Sequence, residues 1–439
     1  MEAQRGQERP RIVVAPPGPR SRELGERLAG TECPAVDARR DARAKQSGEE
    51  QAPIVYARGV GANVEDVDGN RYVDLTAGFG ALLLGHGAPE VTRAMVEQQD
   101  RLWLALGDVY ASEAKVRLCE ELAALYPEPR ARVLLGTSGA DAITAALKTA
   151  VLATGKSGVV AFEGAYHGLS YAPLAACGLA PGFREPFAAQ LGDHVSFAPY
   201  PESDASLEPA MTVVREALAR GAGAVLVEPV LGRGGCVVPP ASFLTLLRRA
   251  CDDAGALLVC DEIWTGLGRS GHWLASRAAG VVADVVCLGK GLGGGMPVSA
   301  CVGSARAMEA WGTHGGTAIH TATHFGAPLG CSTALATIAT LRTRELSARA
   351  LGVGARWVHT LEERTKGRGV RGVRGSGLMV GVVLEGGAAR ALAMARRMLG
   401  LGYIVLTGGV RGDTITLTPP LDIDESLLDA FADALAEAL

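Results

Sequence analysis

The chain has 439 residues, enough for a large domain with a smaller one beside it, and its composition is that of an ordinary globular protein. Its 43 basic and 47 acidic side chains give a formal net charge of −4, which argues against a nucleic-acid-binding protein because those normally carry a basic face. The N-terminus is polar and the chain has no long uncharged apolar run, so we predict a cytoplasmic protein without a membrane segment. The nine cysteines occur singly and without metal-binding spacing, so we predict that they are reduced core residues and that there is no metal site.

Residues 1–50 are rich in Arg, Glu, Pro and Gly and show no clean periodicity, so we predict an N-terminal arm that packs on the body of the protein or on a partner subunit. Asn63–Asp66 and Arg71–Leu75 are predicted strands, joined by a turn that contains Asp68-Gly69. We assign residues 51–88 to the N-terminal part of a small domain.

Between residues 89 and 335, amphipathic helices alternate with short apolar runs. The predicted helices are Pro89–Leu102, Ser112–Leu125, Ala140–Leu152, Ala210–Arg220 and Ala241–Ala254, and the predicted strands are Val159–Phe162, Ala224–Val227, Ala256–Cys260 and Val285–Leu288. Apolar strands between such helices are typical of an α/β domain with a mostly parallel sheet covered on both faces, whose ligands bind at the carboxyl ends of the strands. Residues 336–439 mix helices with short strands and predict a smaller α+β domain.

Three polar features come directly after predicted strands. The turn that ends in Ser138-Gly139-Ala140 leads into a helix whose N-terminal N–H groups can bind a phosphate, although a capped helix explains this turn alone more simply. Asp261 closes a buried strand and suits a partner for a metal, a ribose hydroxyl, a ring nitrogen or a helix N-terminus.

Lys290 is the third feature, because it follows the strand Val285–Leu288 and is flanked by glycines. Taken alone it is more simply a solvated loop lysine. A buried lysine has a lowered pKa, however, and its neutral amine is nucleophilic. A phosphate-binding turn, an acid and an amine at one edge of a sheet are the groups that pyridoxal phosphate (PLP) requires.

Gly266-Leu267-Gly268-Arg269-Ser270-Gly271 fits the dinucleotide fingerprint literally. Five residues separate it from the preceding strand, and no clear helix follows it. A dehydrogenase is therefore a weak alternative.

Residues 261–271 (DEIWTGLGRSG) and 288–295 (LGKGLGGG) are similar to the class-III, subgroup II aminotransferases, the family of the ornithine, acetylornithine and 4-aminobutyrate enzymes. The resemblance implies PLP-dependent transferase fold type I with a seven-stranded type of sheet. It also implies PLP as cofactor and a homodimer with shared active sites. The large PLP-binding domain would then span residues 89–335, and the C-terminal small domain residues 336–439.

The resemblance also implies roles for individual residues. Lys290 forms the Schiff base with PLP and moves the proton, and Asp261 pairs with the ring nitrogen. The remaining cofactor contacts are Ser138, Gly139 and Ala140 at the phosphate, Tyr166 stacked on the ring with His167 beside it, Glu228 near the ring hydroxyl, and Thr323 at the phosphate of the neighbouring subunit.

The chain departs from the family at its substrate positions. Thr416 stands where many members have an arginine that binds the substrate α-carboxylate, and Arg233 stands where they often have a glutamate. We hypothesise that Arg233 binds a substrate carboxylate; the alternative is a solvated Arg233 and a substrate without an α-carboxylate. Trp264 and Phe79 are predicted walls of the pocket, and each could instead pack in the core.

We predict a ping-pong aminotransferase that moves an amino group from an ω-amino acid, amine or amino acid to an acceptor such as 2-oxoglutarate or pyruvate. An amino-acid racemase or epimerase of the same family is the main alternative, and a PLP-binding protein without turnover is a remote one.

Overall fold

The computed structural model describes residues 6–313 and 315–439, in which strands and helices alternate. The strands are β1 (Tyr56–Val60), β2 (Asn63–Asp66), β3 (Arg71–Asp74), β4 (Arg132–Gly136), β5 (Gly158–Phe162), β6 (Val195–Ala198), β7 (Ala222–Val227), β8 (Leu257–Asp261), β9 (Val285–Leu288), β10 (Ser299–Gly303), β11 (Val370–Ser376), β12 (Met379–Leu384), β13 (Tyr403–Ile404), β14 (Leu406–Gly408) and β15 (Thr414–Leu417).

The helices range from single turns to a helix of 20 residues. They are α1 (Pro19–Ala29), α2 (Ala35–Ser47), α3 (Ala77–Gly80), α4 (Pro89–Gln99), α5 (Glu113–Leu125), α6 (Gly139–Thr154), α7 (Tyr171–Ala175), α8 (Ala188–Leu191), α9 (Asp204–Ala219), α10 (Phe243–Ala254), α11 (Ala275–Ala278), α12 (Ala305–Met308), α13 (Pro328–Thr343), α14 (Leu346–Thr365), α15 (Gly387–Gly400) and α16 (Glu425–Ala438). In this part of the chain, no helix is both long and apolar enough to cross a bilayer.

The central sheet has seven strands in the order β4-β10-β9-β8-β7-β5-β6. The strands from β9 to β6 are parallel, and β10 runs antiparallel to both of its neighbours. Every residue of β7, β8 and β9 is buried, because helices cover both faces of the sheet. This confirms the predicted α/β class and its mostly parallel sheet.

Strand β8 shows how the two faces are filled. Leu258 and Cys260 belong to the hydrophobic core that includes Phe243 of α10, whereas Leu257 and Val259 belong to the core that includes Ile143 of α6. The alternation follows from the period of two in a strand, and it explains why the sequence of β8 reads as one apolar run.

Two four-stranded sheets flank this body, in the orders β1-β2-β3-β13 and β11-β12-β15-β14. The first joins distant parts of the chain, because Val73 of β3 pairs with Tyr403 of β13 in parallel. The second is antiparallel throughout.

The N-terminal arm contains two helices that were not predicted. Helix α1 begins with Pro19, and the Asp68 carboxylate caps it by accepting hydrogen bonds from the backbone N of Arg20 (2.7 Å) and Ser21 (2.9 Å). Because this cap comes from the hairpin turn and not from a preceding residue, local sequence does not reveal it. Residues 1–5 of the predicted arm lie outside the described residues.

Candidate active site

A cavity of about 260 Å³ lies at the carboxyl edge of the central sheet. Successive strand ends supply its walls: β4 leads to Gly139 and Ala140, β5 to Tyr166 and His167, β7 to Glu228, β8 ends in Asp261, and β9 leads to Lys290. The cavity thus gathers side chains that are far apart in sequence, as the parallel topology requires.

Asp261 is held in a defined orientation. Its Oδ2 lies 2.7 Å from Nδ1 of His167, and its Oδ1 accepts a hydrogen bond from the backbone N of Ile263 at 3.0 Å. Asp261 and His167 are both buried. The His167 Nε2 atom is buried and has no hydrogen-bond partner among the described residues. The pair therefore presents a fixed carboxylate to the cavity.

Lys290 begins a turn directly after β9 and Gly289, with a positive φ of 23°. Its Nζ lies 4.5 Å from the centroid of the Trp264 ring. Burial lowers the pKa of the Lys290 amine, and Arg233 lowers it further, against the opposing effect of Asp261 and Glu228. The amine is consequently more readily neutral than an exposed lysine.

The phosphate-binding turn is the N-terminus of α6. The Ser138 hydroxyl accepts a hydrogen bond from the backbone N of Asp141 at 3.2 Å, and the Asp141 carboxylate accepts one from the backbone N of Ser138 at 2.9 Å. This is the capping arrangement expected from the sequence. Within the described chain, the backbone N of Gly139 and that of Ala140 donate to no protein group, so they remain available to an anion.

Glu228 organises the loop beneath Tyr166. Its carboxylate accepts hydrogen bonds from the backbone N of Tyr166 (2.8 Å) and of Gly232 (2.9 Å). Burial raises the pKa of Glu228 to about 7, with Asp261 adding to the rise and His167 opposing it. The guanidinium of Arg233, next to this loop, lies 4.4 Å above the Tyr166 ring.

A second cavity of about 320 Å³ adjoins the first, since both are lined by Tyr166, Arg233, Trp264 and Lys290. Phe79 also lines it; this residue is 59% exposed and sits in α3 with the left-handed φ of 61°. All the residues predicted for the substrate pocket, Phe79, Arg233 and Trp264, therefore meet here.

Thr416 of β15 lines the same cavity. It is buried, and its Oγ1 has no hydrogen-bond partner in the part of the chain that is described. Arg39 and Arg43 of α2 also line this cavity, and sequence reasoning missed them. Their spacing of four places them on one helical face, but nothing in the local sequence connects that face to β15.

Thr323 is exposed and lines neither cavity of its own chain. Its predicted place at the phosphate of a neighbouring subunit stays a prediction.

The glycine-rich segment 266–271 belongs to a closed loop. The buried Glu262 carboxylate accepts hydrogen bonds from Thr265 Oγ1 (2.6 Å) and from the backbone N of Ala275 (3.0 Å) and Ser276 (2.7 Å). Arg269 is fully buried and donates to the carbonyl oxygen of Leu378 at 2.9 Å. The loop thus connects β8 to β12 and does not open a helix, which argues further against the weak dinucleotide-site alternative.

These groups fit PLP: free N–H groups at a helix N-terminus, a fixed buried carboxylate and an amine with a lowered pKa surround one cavity. Over residues 6–313 and 315–439, no cluster of three or more His, Cys, Asp or Glu side chains could hold a metal ion. The fold and the site define a PLP-dependent enzyme of fold type I.

The chain belongs to the class-III aminotransferase family, whose model matches residues 44–439. It is 39% identical over 391 residues to the acetylornithine aminotransferase of Mycobacterium tuberculosis H37Rv, covering 88% of this chain and 92% of that one. It is 32% identical over 386 residues to the acetylornithine aminotransferase of Methanosarcina acetivorans, with coverage of 88% and 92%.

A solved structure of an amine transaminase from an uncultivated Pseudomonas species, in its PLP-bound form, superimposes with a TM-score of 0.79 at 30% identity and covers 88% of this chain and 94% of that one. The protein is therefore a PLP-dependent aminotransferase.

Proposed function

We propose that PLP binds in the 260 Å³ cavity and that the substrate occupies the adjoining 320 Å³ cavity. The observation that carries this assignment is the convergence of Lys290, Asp261 and the free N–H groups of Gly139 and Ala140 on one cavity. The shared walls let a substrate in the second cavity reach Lys290.

Lys290 would attach the cofactor, and Asp261, oriented by His167, would face its ring nitrogen. Gly139 and Ala140 would hold its phosphate through their backbone N–H groups, with Ser138 at the edge of the same turn. Tyr166 would lie on the ring, and Glu228 would fix the loop that carries Tyr166 and stand near the ring hydroxyl.

When bound, PLP supplies a carbonyl that takes up an amine and a ring that withdraws electrons. The chain's own groups then hold and move protons. Lys290 Nζ can accept and return a proton because burial lowers its pKa. The Asp261 carboxylate would stand close to the ring nitrogen, and its contact with His167 would prevent it from turning away.

The substrate is proposed to be an ω-amino acid or amine donor, with an acceptor such as 2-oxoglutarate or pyruvate. Thr416 supports this class of donor, because a threonine at that place cannot fork onto an α-carboxylate. Arg233 reaches both cavities and is the proposed partner for a substrate carboxylate. The amine transaminase named above also supports an amine donor.

We further propose that the protein is a cytoplasmic homodimer in which Thr323 contacts the partner's cofactor. We also propose that the chain is divided into an arm (1–50), a small domain (51–88 and 336–439) and a large domain (89–335). The exposed apolar side chains after α4 support an interface. They are Leu102, Trp103, Leu104, Leu106, Val109 and Tyr110.

The test is Lys290→Ala in the purified protein supplied with PLP. We expect loss of the amine-dependent change in cofactor absorbance and a fall in transamination of about 10³-fold or more, because the attacking and proton-moving amine is removed.

Lys156→Ala is the matched control. Lys156 donates to the carbonyl oxygen of Ala254 at 2.8 Å and lines neither cavity, so activity should be retained. Equal activity of the two variants would disprove the assignment of Lys290. If the enzyme, incubated with one enantiomer of an amino acid and no keto acid, produced the other enantiomer, the result would instead indicate a racemase.

A further inference from the structure

The substrate cavity carries an excess of positive charge. Its lining contains the three arginines Arg39, Arg43 and Arg233, and no acidic residue. Two of these arginines come from α2, which precedes the first strand of the chain. Several cations around one small space with partly apolar walls create a strong positive potential.

These arginines are not neutralised by neighbouring acids in the described chain. Helix α2 forms its ion pair through Arg40, whose guanidinium lies 2.7 Å from Asp37, and not through Arg39 or Arg43. Arg43 Nη2 donates to Thr407 Oγ1 at 3.1 Å, which anchors the half-buried guanidinium beside β14.

The charges also act on one another. Burial lowers the pKa of Arg43, and the proximity of Arg39 and then Arg233 lowers it further. Positive charges held close together without a counter-charge repel one another and destabilise the cavity when no ligand is bound. A bound anion relieves that repulsion.

We infer that Arg39 and Arg43 bind an anionic group at the end of a substrate remote from its reacting centre, so that α2 is a specificity element of the active site. The inference rests on the proposed function for the reacting end. Trp264, Arg233 and Lys290 line both cavities, whereas Arg39 and Arg43 line only the second, so the arginines of α2 belong to the part of the substrate cavity that the cofactor cavity does not share.

The chemistry of the remote group is a carboxylate or a phosphate, because the guanidinium fork pairs with both. A substrate that ends in an ammonium group is repelled by the same cations. Arg233 then binds a second anionic group of the substrate nearer the cofactor, or binds the remote anionic group together with Arg39 and Arg43.

The experiment measures binding of unreactive acids to the PLP-loaded enzyme by calorimetry. Glutarate carries two carboxylates, and pentanoate has the same chain with a methyl group at one end. We expect glutarate to bind about tenfold more tightly than pentanoate, as a charge-assisted hydrogen bond would give. 4-Phosphonobutyrate replaces one carboxylate by a phosphonate, and the tighter of the two dianions identifies the preferred group.

Arg39→Gln and Arg43→Gln should each weaken glutarate binding, and the double variant should reduce it to the level of pentanoate. Pentanoate binding should fall less than glutarate binding in all three, because its one carboxylate can pair with Arg233, which lines both cavities. Arg43→Lys should restore part of the affinity. Arg40→Gln is the control on the same helix, since Arg40 does not line the cavity.

Equal affinity of wild type for glutarate and pentanoate would overturn the inference, as would an equal loss for both acids in the arginine variants. Failure of the proposed function is a separate result: the cofactor absorbance of the wild type would then not respond to any amino donor, whatever the binding of acids.

Discussion

Gly80 lies at the end of α3 with φ +77°, and a Cβ atom there would stand 2.3 Å from Nε1 of Trp264. The Gly80→Ala variant therefore meets two separate costs. A left-handed backbone costs an L-residue about 1–2 kcal/mol. Forcing an extra methyl group into a packed site costs about 1–3 kcal/mol more, because Trp264 must move.

The movement of Trp264 has a functional consequence, since its ring centroid is 4.5 Å from Lys290 Nζ. A displacement of about 1 Å near reacting groups can cost about 10²-fold in rate, so we expect kcat/KM to fall by about 10–100-fold. The assays are urea unfolding of the holoenzyme and the half-reaction with an amino donor, followed through cofactor absorbance.

Gly155→Ala is the control for the backbone cost. Gly155 has φ +68°, and no atom lies within 4 Å of the position that a Cβ atom would take there, so only the first cost applies and activity should be kept. The double variant Trp264→Leu/Gly80→Ala should lose less unfolding free energy than the sum of the losses in the two single variants, because the indole that clashes with the new Cβ atom is absent. If Gly80→Ala matched Gly155→Ala in both stability and activity, the proposed clash with Trp264 would be wrong.

Two further changes probe the buried acids. Burial raises the pKa of Glu228 from 4.5 to about 7, so the folded protein keeps a proton that the unfolded chain has released. Stability should therefore fall between about pH 4.5 and about pH 7 and level off above, and Glu228→Gln should flatten that slope in urea titrations; an unchanged slope would contradict the assignment. His167→Ala removes the 2.7 Å partner of Asp261 and should cost about 1.5–3 kcal/mol of unfolding free energy, whereas a change within about 0.5 kcal/mol would argue against the pairing.

The central sheet could be predicted wherever its strands are apolar throughout. Strands β5, β7, β8 and β9 were found because both of their faces are buried, so nearly every residue is apolar. Strand β10 (SACVG) is equally buried, but it is built from small residues and a serine, and the hydrophobic pattern does not separate it from a loop. Helix α2 was missed because none of its residues is buried, which leaves no apolar face to detect.

Ser138, Asp261 and Lys290 could be singled out because each lies at or just after the end of a strand, where the topology brings strand ends together. The roles of Tyr166, His167, Glu228 and Thr323 were expected only from the family resemblance. Arg39 and Arg43 could not, since α2 meets the cavity through contacts between residues far apart in sequence, such as the hydrogen bond from Arg43 to Thr407. The partner of His167 was likewise hidden, because β5 and β8 meet only through β7 in the sheet order.

The parallel pairing of β3 with β13 has a consequence for biosynthesis. Val73 is made about 330 residues before its partner Tyr403. At about 5–20 residues per second, the edge of β3 stays unpaired for on the order of tens of seconds during translation. An unpaired edge is a template for association with other chains, so the nascent protein should need protection, for example by a chaperone, until β13 emerges.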